Sequence, residues 1–284
     1  MNRNVGVDIM GIKANTFSLR RLLELTQRKQ NVGGKAQEQV IACVLRYNDG
    51  YISTTSLVRD GKTSLGRFII QGELTGDNPA ICIPDINRFL GVLSSHGKEV
   101  TVESENTKLR IKSGKKQTTL AGGMTGLAFP HSPETIGEWE AKSVDLAGKL
   151  DLTDGAYIMR DGSKRMPIMS ITVEAVELFE GLRCDNMNNQ KLNRYTFNIS
   201  DEDDSLLVSV GDELKGRTLT EIEYTSTGKE HFEVTFEGGL DNILKPYSGD
   251  CTIHFLDFRP EGQGIRAIFI LPDDSWVFQA GVLD

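Results

Sequence analysis

The apolar positions of residues 232–271 change period twice. Phe232, Val234 and Phe236 alternate, which is the period of a strand. Leu240, Ile243 and Leu244 then recur at helical spacing for about two turns. Ser248-Gly249-Asp250 predicts the stop, because glycine can take the left-handed conformation that ends a helix. Residues 252–255 alternate again, and Gly262-Gln263-Gly264 joins them to a last apolar run ending at Leu271. The same order stands earlier in the chain. Residues 80–103 read as strand, short helix, Gly97 and strand, with residues 108–113 as the next strand. Phe89-Leu90 answers Ile243-Leu244, and Gly97 answers Gly249 at an offset of about 150 residues. A repeat of that period makes the chain a duplicated unit.

The remaining pattern fills in each copy. Asn15-Thr16 predicts the cap of a helix over 17–29, with Leu19, Leu22, Leu23 and Thr26 on one face and Arg20, Glu24, Gln27 and Arg28 opposite. Residues 38–47 read as a strand through Val40, Ala42 and Val44. Asn48-Asp49-Gly50 marks a hairpin turn into residues 51–58. A third strand covers 63–73. Residues 121–137 hold glycines and prolines without period and read as a connector. The second copy is expected to open with a helix over 144–160, interrupted at Asp154-Gly155, followed by a basic turn over 162–167. A strand over 168–178, a hairpin turn at Glu180-Gly181 and strands over 182–185, 191–199, 206–210 and 218–224 follow. Two helices against antiparallel strands in each half make an α+β layer arrangement.

Two units of about 140 residues fit the 284 present, and each can bury its own core. No apolar run is long enough to span a membrane, and the first residues lack the apolar core of an export signal. The cysteines at 43, 82, 184 and 251 have no metal or redox spacing and read as small buried side chains. The four histidines are scattered, so no metal site and no cofactor is expected. No phosphate-binding loop, nucleophile elbow or H-E-x-x-H is present. Asp201 to Asp204 lack the downstream glutamate of a calcium loop and read as a solvated turn. The net charge of −8 argues against a chain that coats nucleic acid, but it leaves room for a local basic surface.

The two strand–helix–Gly–strand units over 81–102 and 234–253 resemble a DNA sliding clamp, the polymerase processivity factor. The hairpins over 47–54 and 179–184 and a connector of about twenty residues add to the likeness. It is to the two-domain, trimeric type, as in archaeal and eukaryotic proliferating-cell nuclear antigen and T4-like phage clamps. The resemblance implies a duplicated DNA-clamp fold, with antiparallel sheets outside and two helices per domain inside. Its domains would be 1–120 and 141–284, with the connector at 121–140. It implies a cytoplasmic homotrimeric ring at the replication fork, without enzymatic activity, that encircles duplex DNA irrespective of sequence. Its partners would be a DNA polymerase and a clamp loader.

By position, the DNA-facing residues would be Arg20, Arg21, Arg28, Lys29, Arg88, Lys98, Lys149, Arg160, Lys164, Arg165 and Lys245. A partner-peptide pocket would use Leu57, Leu127, Phe129, Pro130, Leu271, Pro272 and Phe278. A ring that slides needs diffuse positive charge and no base readout, and an acidic remainder suits that division. Two other readings of the pattern stay open: a monomeric clamp-fold protein with one basic face, and a hydrolase or transferase on a duplicated α+β scaffold.

Overall fold

The computed structural model describes residues 10–32, 35–38, 40–58, 64–76, 80–105, 108–121, 152–159, 162–183, 194–200, 205–212, 216–228, 230–237 and 239–282. In chain order the elements are β1 (Met10–Asn15), α1 (Thr16–Gln27), β2 (Lys29–Val32), β3 (Lys35–Glu38), β4 (Cys43–Asn48), β5 (Tyr51–Val58), β6 (Ser64–Gln71), β7 (Glu73–Leu74), β8 (Ala80–Ile83), α2 (Ile86–Leu93), β9 (Glu99–Glu105), β10 (Lys108–Ser113) and β11 (Lys116–Ala121). There follow β12 (Leu152–Thr153), β13 (Ala156–Ile158), β14 (Lys164–Arg165), β15 (Met169–Glu174), α3 (Ala175–Leu182), β16 (Arg194–Ile199), β17 (Ser205–Asp212), β18 (Gly216–Glu223), β19 (Thr225–Thr227), β20 (Phe232–Glu237), α4 (Leu240–Leu244), β21 (Asp250–Asp257), β22 (Ile265–Ile270) and β23 (Trp276–Ala280).

The chain divides into two compact units. The first comprises Met1–Gln27, Val40–Ser56 and Arg67–Val144; the second comprises Arg28–Gln39, Leu57–Gly66 and Asp145–Asp284. The first unit runs its strands in the orders β11-β10-β9-β1-β7 and β6-β5-β4-β8. The second runs β23-β22-β21-β15-β19 and β18-β17-β16-β20. Strand for strand these are the same two orders, so the α+β duplication is a property of the fold. The resolved ladders of both units are antiparallel.

The two copies share a junction. In the first unit the N–H of Thr16, the first residue of α1, donates to the Lys98 carbonyl at 2.9 Å. In the second unit the N–H of Ala175, the first residue of α3, donates to the Gly249 carbonyl at 2.9 Å. Asn15 lies opposite Glu99, and Glu174 lies opposite Asp250. The strand that feeds the first helix is therefore laddered to the strand that leaves the second. Gly249 has φ +97, in the left-handed region, and its N–H donates to Glu174 Oε1 at 2.7 Å.

Several expected elements stand as read. Asp49 and Gly50 both have positive φ, 47 and 88, which is the type I′ turn that Asn-Asp-Gly favours. Asn15 Oδ1 accepts from the Phe17 and Ser18 N–H groups at 3.0 and 3.2 Å, the expected helix cap. Others are corrected. Residues 152–158 form the β12–β13 hairpin around Asp154-Gly155, not a helix, and both turn residues have positive φ. The first helix of the second unit is α3. Met169, Ile171 and Val173 alternate into the core, and burial then passes to Ala175, Leu178 and Leu182 at helical spacing. The strand expected over 168–178 therefore ends at Glu174, and Glu180-Gly181 is helical instead of a turn. Gly181 admits this packing, because a Cβ there would stand 3.0 Å from Ile222 Cδ1. In β4 the buried side chains are Cys43 and Leu45, one residue out of phase with the expected Ala42 and Val44.

Each unit has its own core. In the first, Ile12, Leu19, Leu22, Leu23, Phe89, Leu93, Val102 and Ile111 are fully buried. In the second, Phe197, Phe236 and Phe269 meet edge to face at 5.6–6.2 Å. His254 lies against Ser170, whose Oγ is 2.7 Å from His254 Nδ1, and the Tyr157 ring stands 5.9 Å away. Burial lowers the His254 pKa from its ordinary 6.5.

Asn15→Ala should cost about 1 kcal/mol, read from the urea midpoint, because two N–H groups of α1 lose their acceptor. For His254 the folded pKa is depressed, so its share of stability is complete above the ordinary value of 6.5. That share falls as acid takes the pH down through the folded pKa. His254→Gln should flatten this part of the pH profile of thermal unfolding, and an unchanged slope would remove the assignment.

Candidate nucleic-acid interface

In the first unit α1 buries Leu19, Leu22, Leu23, Leu25 and Thr26 and turns Phe17, Arg20, Arg21 and Glu24 away from the core. These four recur at helical spacing and form one stripe. Arg20 Nη2 stands 3.6 Å from Glu24 Oε1, a solvated i,i+4 pair. α2 buries Ile86, Phe89, Leu90 and Leu93 and exposes Asn87, Arg88 and Gly91. Asp85 caps it, accepting from the Arg88 N–H at 2.9 Å. Gln27 Nε2 donates to Asn87 Oδ1 at 2.8 Å, tying the end of α1 to the start of α2. Lys98 is exposed beyond α2. The helix pair of this unit thus presents Arg20, Arg21 and Arg88, with Lys98 at its end, against Glu24.

The second unit differs. α3 buries Ala175, Leu178, Gly181 and Leu182 and exposes Val176, Glu177 and Glu180. α4 adds a half-buried Asp241 and an exposed Asn242, with Lys245 exposed at its end. Burial raises the Asp241 pKa, against hydrogen bonds and the Lys245 charge. Arg183 is exposed after α3 and sits 3.5 Å from Glu180. The described helical surface here is acidic, which sequence reasoning missed because it assigned the first helix to 144–160.

Of the other predicted contacts, Lys164 is exposed on β14. Arg165 is engaged elsewhere. It donates to the Asp257 carbonyl, pairs with Glu261 at 2.5 Å and lies 4.2 Å from the Phe258 ring centre. Lys29 belongs to β2. Lys149 and Arg160 lie outside the described residues.

No family model and no curated protein sequence matches the chain. Solved structures do. The DNA polymerase sliding clamp of Pseudomonas aeruginosa is similar over 100% of this chain and 70% of its own, at 15% identity and a TM-score of 0.61. The sliding clamp of Caulobacter crescentus is similar over 100% and 68%, at 14% identity and a TM-score of 0.60. The Helicobacter pylori beta clamp, solved bound to a DNA ligase peptide, is similar over 97% and 67%, at 15% identity and a TM-score of 0.57. This chain has the sliding-clamp fold.

Two features of this clamp-fold chain bear on the remaining predicted residues. Arg28 follows α1 with φ 52 and is half-buried. Burial pulls its guanidinium down to about 10, with Tyr195 acting the other way. Tyr195 is itself pushed up, first by burial and then by the charge of Asp241, and its hydroxyl donates to Gln279 Oε1 at 2.5 Å. Arg28 therefore turns towards the Tyr195 side of the second unit, away from the exposed stripe of α1. Of the pocket residues, Leu271 and Phe278 are only 2% and 6% exposed, so both are core as packed. Pro272 is exposed and faces Gly249, where a Cβ would stand 3.8 Å from the Pro272 Cβ. For Leu57 only the backbone, in β5, is described, and Leu127, Phe129 and Pro130 lie outside the described residues. No helix among the described residues is long and apolar enough to cross a membrane, and none of their side chains cluster as metal ligands.

Arg28→Met should raise stability by about 1 kcal/mol, because burial lowers the guanidinium pKa and folding therefore disfavours the charged side chain. Arg88→Met should stay within about 0.5 kcal/mol, as an exposed charge does. Equal urea midpoints for the two variants would place Arg28 at the surface.

Proposed function

We propose that this protein is a DNA polymerase processivity factor, a non-enzymatic clamp of three identical chains that encircles duplex DNA and tethers a polymerase. The observation that supports this best is the module built twice along one chain, similar over all its length to bacterial sliding clamps. The chain spans roughly two thirds of those clamps, 68% and 70% for the two quoted. If the complete ring has six modules, as the resemblance implies, chains of two modules close it in threes. A clamp loader would open that ring. The ligase peptide on the Helicobacter pylori clamp supports docking of short peptides by replication proteins.

The lining charge is unequal in this reading. Arg20, Arg21, Arg88 and Lys98 of the first unit attract phosphate without reading bases. Glu177 and Glu180 of the second unit repel it. A ring of three chains then alternates attractive and repulsive sectors, which holds the duplex by a few diffuse contacts. That arrangement favours sliding over tight seating.

The test is retention on nicked circular DNA. Arg20→Glu, Arg88→Glu and Lys98→Glu together should abolish retention and polymerase stimulation, while thermal stability stays near that of the parent. Glu177→Lys with Glu180→Lys should lengthen retention and steepen its salt dependence by about one unit of slope per added contact. Cutting the circle should release the parent protein. Retention on a linear end-free-to-slide duplex equal to that on the circle would defeat the encircling reading.

A further inference from the structure

Among the described residues Phe17 is the most exposed large apolar side chain, at 75%. A phenyl ring left in water forgoes the stabilisation that burial would bring. The backbone nonetheless fixes its place. The Phe17 N–H donates to Asn15 Oδ1 at 3.0 Å. Thr16 is tied by its N–H to the Lys98 carbonyl and by its hydroxyl to the Gly97 carbonyl. The first turn of α1 therefore holds the ring out from a hydrogen-bonded corner. The second unit has the same corner, and there the residue after Ala175 is Val176, 43% exposed. An apolar side chain thus stands outside the core at the same place in each copy.

The charges around the two positions differ in sign. Val176 is followed by Glu177 and Glu180. Phe17 is followed by Arg20 and Arg21, which share its stripe one turn along, where Cβ atoms stand about 5–6 Å apart. Lys98 stands at the same turn, since its carbonyl accepts from the Thr16 N–H. The carboxylates of Glu24 and Glu99 each already face a cation, Arg20 at 3.6 Å and Lys13 at 3.8 Å. The Arg20–Glu24 pair is solvated and weak, so a phosphate can take the place of the glutamate. A ring flanked by cations matches a ligand that carries a flat π-face beside an anion. Duplex DNA offers the anions, but each base face is covered by its neighbour in the stack. An unpaired nucleotide offers both within one unit of chain. An acidic peptide offers the charge alone.

We propose that Phe17, with Arg20, Arg21 and Lys98, is a site for an unpaired nucleotide, whose base stacks on the Phe17 ring while its flanking phosphates meet the cations. The inference rests on the reading of the first unit's helix pair as the DNA-facing surface and adds a ligand to it, a strand that leaves the duplex. Every base has a π-face, so the site holds such a strand without reading its sequence. Val176 supplies neither an aromatic ring nor neighbouring cations, so the second unit does not repeat the site. A chain built this way distinguishes a junction between single and double strand from uninterrupted duplex, which offers the same phosphates and no open base.

The test is fluorescence anisotropy of the full chain with a blunt duplex and with the same duplex carrying a single-stranded thymidine overhang. The parent should bind the overhang duplex about tenfold more tightly than the blunt one. Phe17→Ala and Phe17→Leu should bring the two affinities within about twofold of each other, and Phe17→Trp should keep the preference. All three variants should unfold at the parent's temperature, because the side chain they replace is exposed. A Phe17→Leu variant with the parent's preference would make the contact merely apolar and overturn stacking. Displacement of the overhang duplex by polyglutamate as readily as by oligothymidylate would reduce the site to charge and overturn it too. A parent without the preference that is still retained on nicked circular DNA overturns this site and leaves the processivity reading standing. A parent with a Phe17-dependent preference that is not retained on the circle overturns encirclement and leaves the site.

Discussion

One backbone hydrogen bond, made once in each unit, holds the architecture. The first residue of the leading helix donates to a carbonyl in the turn that leaves the second helix. Three of the four described helices would not persist alone. α2 and α3 have 8 residues each and α4 has 5, far below the length at which an isolated helix is stable in water. Their order comes from burial of one apolar face and from strands that fix where they begin. In the first unit Thr16 adds a second bond, from its hydroxyl to the Gly97 carbonyl. In the second, Glu174 reaches the Gly249 amide. The chemistry differs, but the closure of the corner is the same, and it obliges both helices of a unit to lie on one side of their ladder.

A scaffold fixed in that way leaves the outer faces of the helices free to diverge. The first unit places arginines there and the second places glutamates, although the buried positions of α1 and α3 are alike in kind. Net charge hides this, since −8 is a sum over both units and their sheets. The useful quantity is the sign of the charge on each exposed helix stripe. Charges already committed elsewhere have to be left out of that sum. Arg165 and Arg266 both lie 4.2 Å from the Phe258 ring centre, and Arg165 also pairs with Glu261, so Arg165 holds the β14 hairpin to β21.

Legibility in the sequence followed the locality of the cause. The Asn48-Asp49-Gly50 turn, the Asn15 cap and the strand–helix–strand unit before residue 255 depend on neighbours in sequence, and all were readable. The second unit's first helix was not. Its six preceding residues alternate as a strand should, and the period changes at Ala175 with no glycine or proline to mark it. Glu180-Gly181 then imitates a turn, although the glycine is there so that Ile222 can approach the helix. The misplacement put Lys149 and Arg160 on a helix and hid the acidic stripe that α3 presents. Arg28 failed for a similar reason: its spacing from Arg20 suggests a shared face, but α1 ends at Gln27 and the left-handed residue that follows redirects the side chain.

Edge strands show how the same polar composition serves two ends. The side chains of β11 are almost all half or fully exposed, with no large apolar run, so the strand offers its backbone without offering a sticky surface. β18 carries one exposed leucine among threonines and glutamates. A joint made on such strands would draw its strength from ladder hydrogen bonds and its selectivity from a few charges. Hydrogen bonds exchanged with water contribute modestly each, so a short joint of this kind is specific and also reversible. A hydrophobic seam of equal length would hold more firmly and pair less selectively.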